Sequence, residues 1–362
     1  MNENVHEVWS EEELDRALAV LNADVPPGDT ALARARAELL AASGAPQAVQ
    51  PPKARRHWGR WAAAVAVIAA AFASLQVVPF GDESSVPTAA AAELLINAAD
   101  KIGASDPVVG PGQYLYVEEH NWGGMGFFSP SAPANNFFYL DERFNETWIP
   151  ADRTQEWLWR MRETGNRKWI VGRPEQAPAI TNSPLPDQRA RCGDFTISQS
   201  EKPCEVAGSW YRPTPQFLAS LPTDPRQLYD VIYKEVSARS YPPGMPANFF
   251  ESQVFQQVSH LVKPGVAPAG IRANLYRALA LTPGLVISDK DAVNLDGRRG
   301  VALGIEAEGV KWELLVDPKT GQYIGTRQTQ IKAAEGGTPP GTVTSTAVKI
   351  GVVEKMGDKP GQ

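Results

Sequence analysis

The chain has 362 residues, of which 43% are hydrophobic and 21% charged, which excludes a disordered protein and allows one or two globular domains. Its formal net charge of −6 is carried by residues 1–50, where nine acidic residues face three arginines. The neutral remainder lacks the clustered basic face that nucleic acid requires, so direct binding to DNA or RNA is not expected.

In chain order, Ser10-Glu11-Glu12-Glu13 reads as a capping box that starts a helix running to about Leu21. Leu14, Ala17, Leu18 and Leu21 share one face of it. Val25-Pro26-Pro27-Gly28-Asp29 breaks the helix, and Thr30 restarts a second one with Leu32, Ala35, Leu39 and Leu40 on a stripe. Such a hairpin is too small to bury a stable core alone. Leu14, Leu18, Leu21, Leu32, Leu39 and Leu40 are therefore candidate contacts for a cytoplasmic partner, with a solvated tail as the alternative. This acidic arm is assigned to residues 1–57.

After a Pro/Ala/Gln linker, Trp61–Phe80 contains no charged residue over twenty positions, enough to match the roughly 30 Å hydrocarbon core of a bilayer. Lys53, Arg55, Arg56 and Arg60 precede it while Asp82 and Glu83 follow. The positive-inside rule then leaves the N-terminus in the cytoplasm and exports the rest. A span at 58–80, a linker at 81–88 and an exported domain at 89–362 are expected, the first as an uncleaved anchor. A buried Ala-rich helix of a soluble protein is the alternative reading of the same stretch.

Leu94, Leu95, Ala98, Ala99 and Ile102 have helical spacing from Ala89 to Gly103. Between Gln113 and Gly172 the period drops to two, predicting a meander of about four antiparallel strands with Gly165-Asn166 as a turn before Lys168. Cys192 and Cys204 follow in a Gly- and Pro-containing stretch. In an exported domain a disulfide is their natural reading, worth about 3 kcal/mol for so short a loop, and two free thiols are the alternative. Helical spacing returns in Pro225–Ala238, Phe249–Val262 and Pro268–Leu281, and alternation resumes from Leu285 through a last strand at Val343–Glu354. The expected fold is α+β: strands, then three helices inserted between two sheets of strands, with the helices gathered on one side of an antiparallel sheet.

The four histidines, His6, His57, His120 and His260, belong to no HExxH, and the sequence holds no GxSxG elbow, P-loop or GxGxxG. No enzyme, cofactor or metal site is expected. The acid pairs Glu118-Glu119 and Asp141-Glu142 point to opposite faces if they lie on strands, which argues against a shared acid–base site. Tryptophan is the richer signal. Trp122, Trp148, Trp157, Trp159, Trp169, Trp210 and Trp312 all lie in the exported part, and indole suits either a core or the lining of an apolar site. Asn121 to Phe128 reads as a mobile, glycine-containing lid or contact loop. Trp122, Phe127, Phe128, Trp157 and Trp159 are the candidate contacts for an apolar ligand or an envelope protein.

The chain also resembles a known family. The features are Asn22-Ala23-Asp24-Val25-Pro26-Pro27-Gly28 and Ala31–Leu40 of the arm, the single span, Pro111-Gly112-Gln113-Tyr114-Leu115-Tyr116-Val117, Leu221-Pro222-Thr223-Asp224-Pro225, Ala278-Leu279-Ala280-Leu281-Thr282-Pro283-Gly284, Gly297-Arg298-Arg299-Gly300-Val301-Ala302 and Asp317-Pro318-Lys319-Thr320-Gly321. Together they are similar to the actinobacterial single-pass membrane proteins often encoded beside extracytoplasmic-function sigma factors. That resemblance implies a regulator-associated membrane protein, not an enzyme. The order of elements is more distantly similar to the lipoprotein-carrier and RseB-like layout, an open curved antiparallel sheet with helices filling its concavity. The arm lacks the His/Cys set of zinc-binding anti-sigma domains, so any grip on a sigma factor is metal-free. Two readings follow: a membrane-tethered, anti-sigma-like regulator, and an exported module that binds lipid or another apolar molecule.

Overall fold

A computed structural model describes residues 87–361, except 130, 178–184, 196–201, 242–243, 247 and 335–336. The described residues belong to one compact unit, Val67–Gln362. The arm, with its six candidate leucines, and the stretch Trp61–Phe80 lie outside the described residues. Among the described residues no helix is long and apolar enough to cross a membrane.

The Thr88 side chain accepts from the Ala91 backbone and so starts α1 (Ala89–Ser105), whose Leu95, Ala98 and Ile102 are buried. Three long strands follow: β1 (Tyr114–Phe127), β2 (Phe137–Pro150) and β3 (Glu156–Val171), with the short β4 (Gln188–Arg191) on their edge. Two expectations fail here. Gly165-Asn166 does not reverse the chain: β3 continues past it with a bulge there, Thr164–Asn166 facing the single residue Glu142 of β2 and Gly165 taking φ +81°. Nor is Asn121–Phe128 a loop: residues to Phe127 are strand, paired to β2 along their whole length. Backbone pairing to a neighbour outweighs the flexibility of the three glycines there.

A short helix that the periodicity missed, α2 (Pro215–Ser220), precedes α3 (Pro225–Ser237), α4 (Phe249–Leu261) and α5 (Ala269–Leu279). Asp224 caps α3 by accepting from the Gln227 backbone at 2.8 Å, and Pro225 occupies the first turn. Then come β5 (Val286–Val293), β6 (Arg299–Ala307), β7 (Val310–Val316), β8 (Tyr323–Gln330) and β9 (Val343–Val353).

The strands form one sheet, not two. β9 pairs with β1 on one side and β8 on the other, giving an open, antiparallel, nine-stranded order β4-β3-β2-β1-β9-β8-β7-β6-β5. The helices pack on one face of it. Leu228, Ile232, Val254, Val258, Leu275 and Leu279 meet Leu303, Ile305, Leu314, Val316 and Val348 in the main core. α4 lies against β6 and β7 and α1 against β5, so the helices cover the β5–β9 side. No described residue of β2 or β3 joins that core. On this side the inner face of the sheet runs out from under the helices, and a hollow opens there.

The opposite face of the same strands carries a second cluster, Tyr116, Trp148, Leu158 and Val353, closed by Met356 of the C-terminal segment. Trp148 donates its indole N–H to the Asp358 carbonyl at 2.6 Å, and Lys359 pairs with the buried Glu146.

Candidate functional site

The antiparallel register explains which side chains reach the hollow. Val117 stands opposite Thr147 and Thr147 opposite Trp159, so these three form a row across β1, β2 and β3 on the helix side. Glu119, Asn145, Ile149 and Trp157 extend that surface by the two-residue period. Tyr116, Trp148 and Leu158 make the corresponding row on the other side. Together with the helices the inner row encloses a cavity of about 730 Å³, a size typical of small-molecule sites.

Two turns close it. Cys192 and Cys204 are joined by a disulfide with Cα atoms 5.4 Å apart, and Cys192 and Gly193 both have positive φ, 59° and 69°. The turn lies flat on the Trp157 ring, to the point that a Cβ on Gly193 would stand 2.7 Å from it. On the other side Gly265, φ +82°, presses the turn Lys263–Val266 onto the sheet. A Cβ there would be 2.6 Å from Ile149 Cδ1. The segment Tyr211–Pro215 and α2 complete the wall.

The charged groups of the lining are mostly paired. Lys263 donates to both Glu119 oxygens at 2.9 Å, and Arg212 pairs with Asp194. Burial and the neighbouring Lys263 hold the His260 imidazole below its ordinary pKa, with Glu119 opposing them, so it is neutral at pH 7. Arg153 differs: it lies 4.8 Å above Trp157 and donates to the Gly265 and Val266 carbonyls. A smaller cavity of about 480 Å³ adjoins this one at His260 and Lys263, with Trp122, Phe138, Phe255 and Trp312 in its lining.

The candidates from sequence are thus divided. Trp157 and Trp159 line the larger cavity and Trp122 the smaller; Lys168 Nζ stands 4.0 Å over the Trp122 ring. Phe127 and Phe128 line neither. They stack on Phe137 and Phe138 at 6.5 and 6.2 Å at the far end of the β1–β2 pair, where Phe127 is 51% exposed. Trp148 and Trp210 are core residues. Arg153, Lys263, Gly265 and Tyr211–Pro215 escaped the reading from sequence, because only the fold brings these three short segments together at the hollow.

On the opposite face, His120 is held between Glu142 (Nε2 to Oε1, 2.8 Å) and Asp296 (Nδ1 to Oδ1, 2.6 Å) and stacks on Phe144 at 4.2 Å. Both ring nitrogens are engaged, which leaves no edge for a substrate. Among the described residues no group of three or more His, Cys, Asp or Glu side chains is placed to hold a metal ion. What the inner face offers is a sheltered, mainly apolar hollow with a few oriented polar groups, an arrangement suited to binding. Neither protein-family models nor curated proteins match the chain.

Proposed function

We propose that the domain is an exported binding module for an apolar ligand and serves as the sensory part of a membrane-tethered regulator. One observation carries the binding reading: the cavity of about 730 Å³ floored by Trp157 and Trp159, at the place where a fully packed inner face would have counted against it. Two large aromatic rings half-buried on the sheet and lining the hollow supply apolar area that a ligand would remove from water. The layout of lipoprotein-carrier and RseB-like domains, a curved sheet with helices in its concavity, accords with this reading. The regulator reading rests on the acidic arm and on the uncharged stretch Trp61–Phe80 with its charge asymmetry. In it, ligand on the exported side biases what the arm holds in the cytoplasm, an anti-sigma-like arrangement with a metal-free grip.

The test is saturable binding of a neutral apolar fluorophore, N-phenyl-1-naphthylamine, to the full chain in lipid nanodiscs, read against empty discs. Energy transfer from tryptophan to the probe is expected, and Trp157→Ala/Trp159→Ala should weaken binding by about tenfold or more, since each ring contributes on the order of 1 kcal/mol or more of burial. A signal no greater than that of empty discs would refute the module.

A further inference from the structure

Among the described residues, Arg153 is a cation without a counterion. It follows β2 in the connection to β3, and its guanidinium is pinned between the Trp157 ring, 4.8 Å away, and the Gly265 and Val266 carbonyls. Those carbonyls engage Nη2 alone. Nε and Nη1 have no acceptor among the described residues, and no described carboxylate is paired with the group. The other charges of the lining cancel in pairs, Lys263 with Glu119 and Arg212 with Asp194. Burial, with repulsion from Arg272, lowers the Arg153 pKa to about 10, still charged at neutral pH. A half-buried guanidinium held by two neutral oxygens keeps an unspent electrostatic demand, and an anion brought to it in this low-dielectric setting satisfies that demand best.

We propose, resting on the binding reading above, that the ligand is an amphiphile with one acyl chain and a carboxylate head, the head on Arg153 and the chain along Trp157, Trp159 and Ile149. A neutral lipid would leave the charge unmet, and a cationic one would be repelled. The single unpaired charge calls for a single anionic group, and the planar guanidinium suits a planar carboxylate.

The experiment displaces N-phenyl-1-naphthylamine from the full chain in nanodiscs with decanoate, decyl phosphate or decanol, each corrected with empty discs. Decanoate should displace the probe at about tenfold lower concentration than decanol, as expected for a charge-assisted hydrogen bond. Arg153→Gln should abolish that preference while the probe still binds, and Arg153→Lys should restore part of it. Equal potency of decanoate and decanol in the unaltered chain overturns the carboxylate assignment and leaves the apolar module standing. Decyl phosphate outcompeting decanoate overturns the head group and makes it a phosphate. A preference that survives Arg153→Gln removes Arg153 from the site. Failure of the probe itself to bind defeats the module reading instead. The comparison of head groups needs no variant, so it decides even if Arg153→Gln fails to fold.

Discussion

Glu313, in the middle of β7, shows what a single buried charge does in this fold. Its side chain has no exposed surface, and it accepts from Arg327 Nε at 2.6 Å, Arg327 Nη2 at 2.9 Å and Ser288 Oγ at 2.7 Å, joining β5, β7 and β8. Burial pushes its pKa up, but the bonds from Arg327 and Ser288 outweigh burial and hold the carboxyl below its ordinary range. A carboxylate with a depressed folded pKa contributes fully above its unfolded value, about 4.3, and loses that contribution as pH falls through the lower folded value. Glu313→Gln should therefore destabilise the protein by about 3 kcal/mol at pH 7 in chemical denaturation. The difference from the unaltered chain should shrink below about pH 4. A difference independent of pH would show that shape rather than charge is at stake. The same scale explains which site residues could be read in advance. Trp157 and Trp159 are two apart on a strand and so share a face whatever the fold, whereas nothing around Arg153 separates it from an ordinary solvated arginine in a connection.

At the scale of elements, the C-terminal segment after β9 is the least expected part. It folds back across the outer face, where Met356 caps the Tyr116–Trp148 cluster, the Asp358 carbonyl takes the Trp148 N–H at 2.6 Å and Lys359 meets Glu146. Glu146 and Tyr116 share a hydrogen bond of 2.8 Å beneath it. Deleting residues 355–362 should expose the Trp148 edge and leave Glu146 without its cation. A loss of about 2–4 kcal/mol is expected, with a red shift of tryptophan emission. An unchanged emission maximum and denaturation midpoint would mean that the segment merely rests on the sheet. The hydrophobic spacing located α1, α3, α4 and α5 to within a few residues, because each buries an apolar face against the sheet or against neighbouring helices. It missed α2, whose six residues are too few to show a period, and it cut β3 in two at a glycine that only a bulge required.

For the whole molecule, orientation across a membrane is the property on which the regulatory reading depends. If the charge asymmetry around Trp61–Phe80 sets topology, a reporter active only outside the cytoplasm should work when fused after Gln362 and fail when fused before Ser10. The reverse pattern would place the cavity beside the cytoplasm and remove the case for a sensor of exported or envelope ligands. With the expected pattern, the six arm leucines and the nine surrounding acids would face a cytoplasmic partner with a basic surface.

Whereas β1 to β3 run well beyond their alternating cores and β4 left no period, the α+β class, the single-sided placement of the helices, the boundaries of the four longer helices and of the later strands, and the alternation of faces along them were legible in the sequence alone. Each depends on residues a few positions apart, and the periods of 2 and 3.6 record them directly. That β9 closes the two groups of strands into one sheet was decided only in three dimensions, by pairing Tyr114–Trp122 with Ser345–Val353 across more than 200 residues. The hollow beside it was decided the same way. It exists because the helices cover the β5–β9 side and stop short of β2 and β3, and because Gly193 and Gly265 let two distant turns lie directly on the sheet. Such a vacancy is set by where the packing ends, and no local pattern in the chain encodes that.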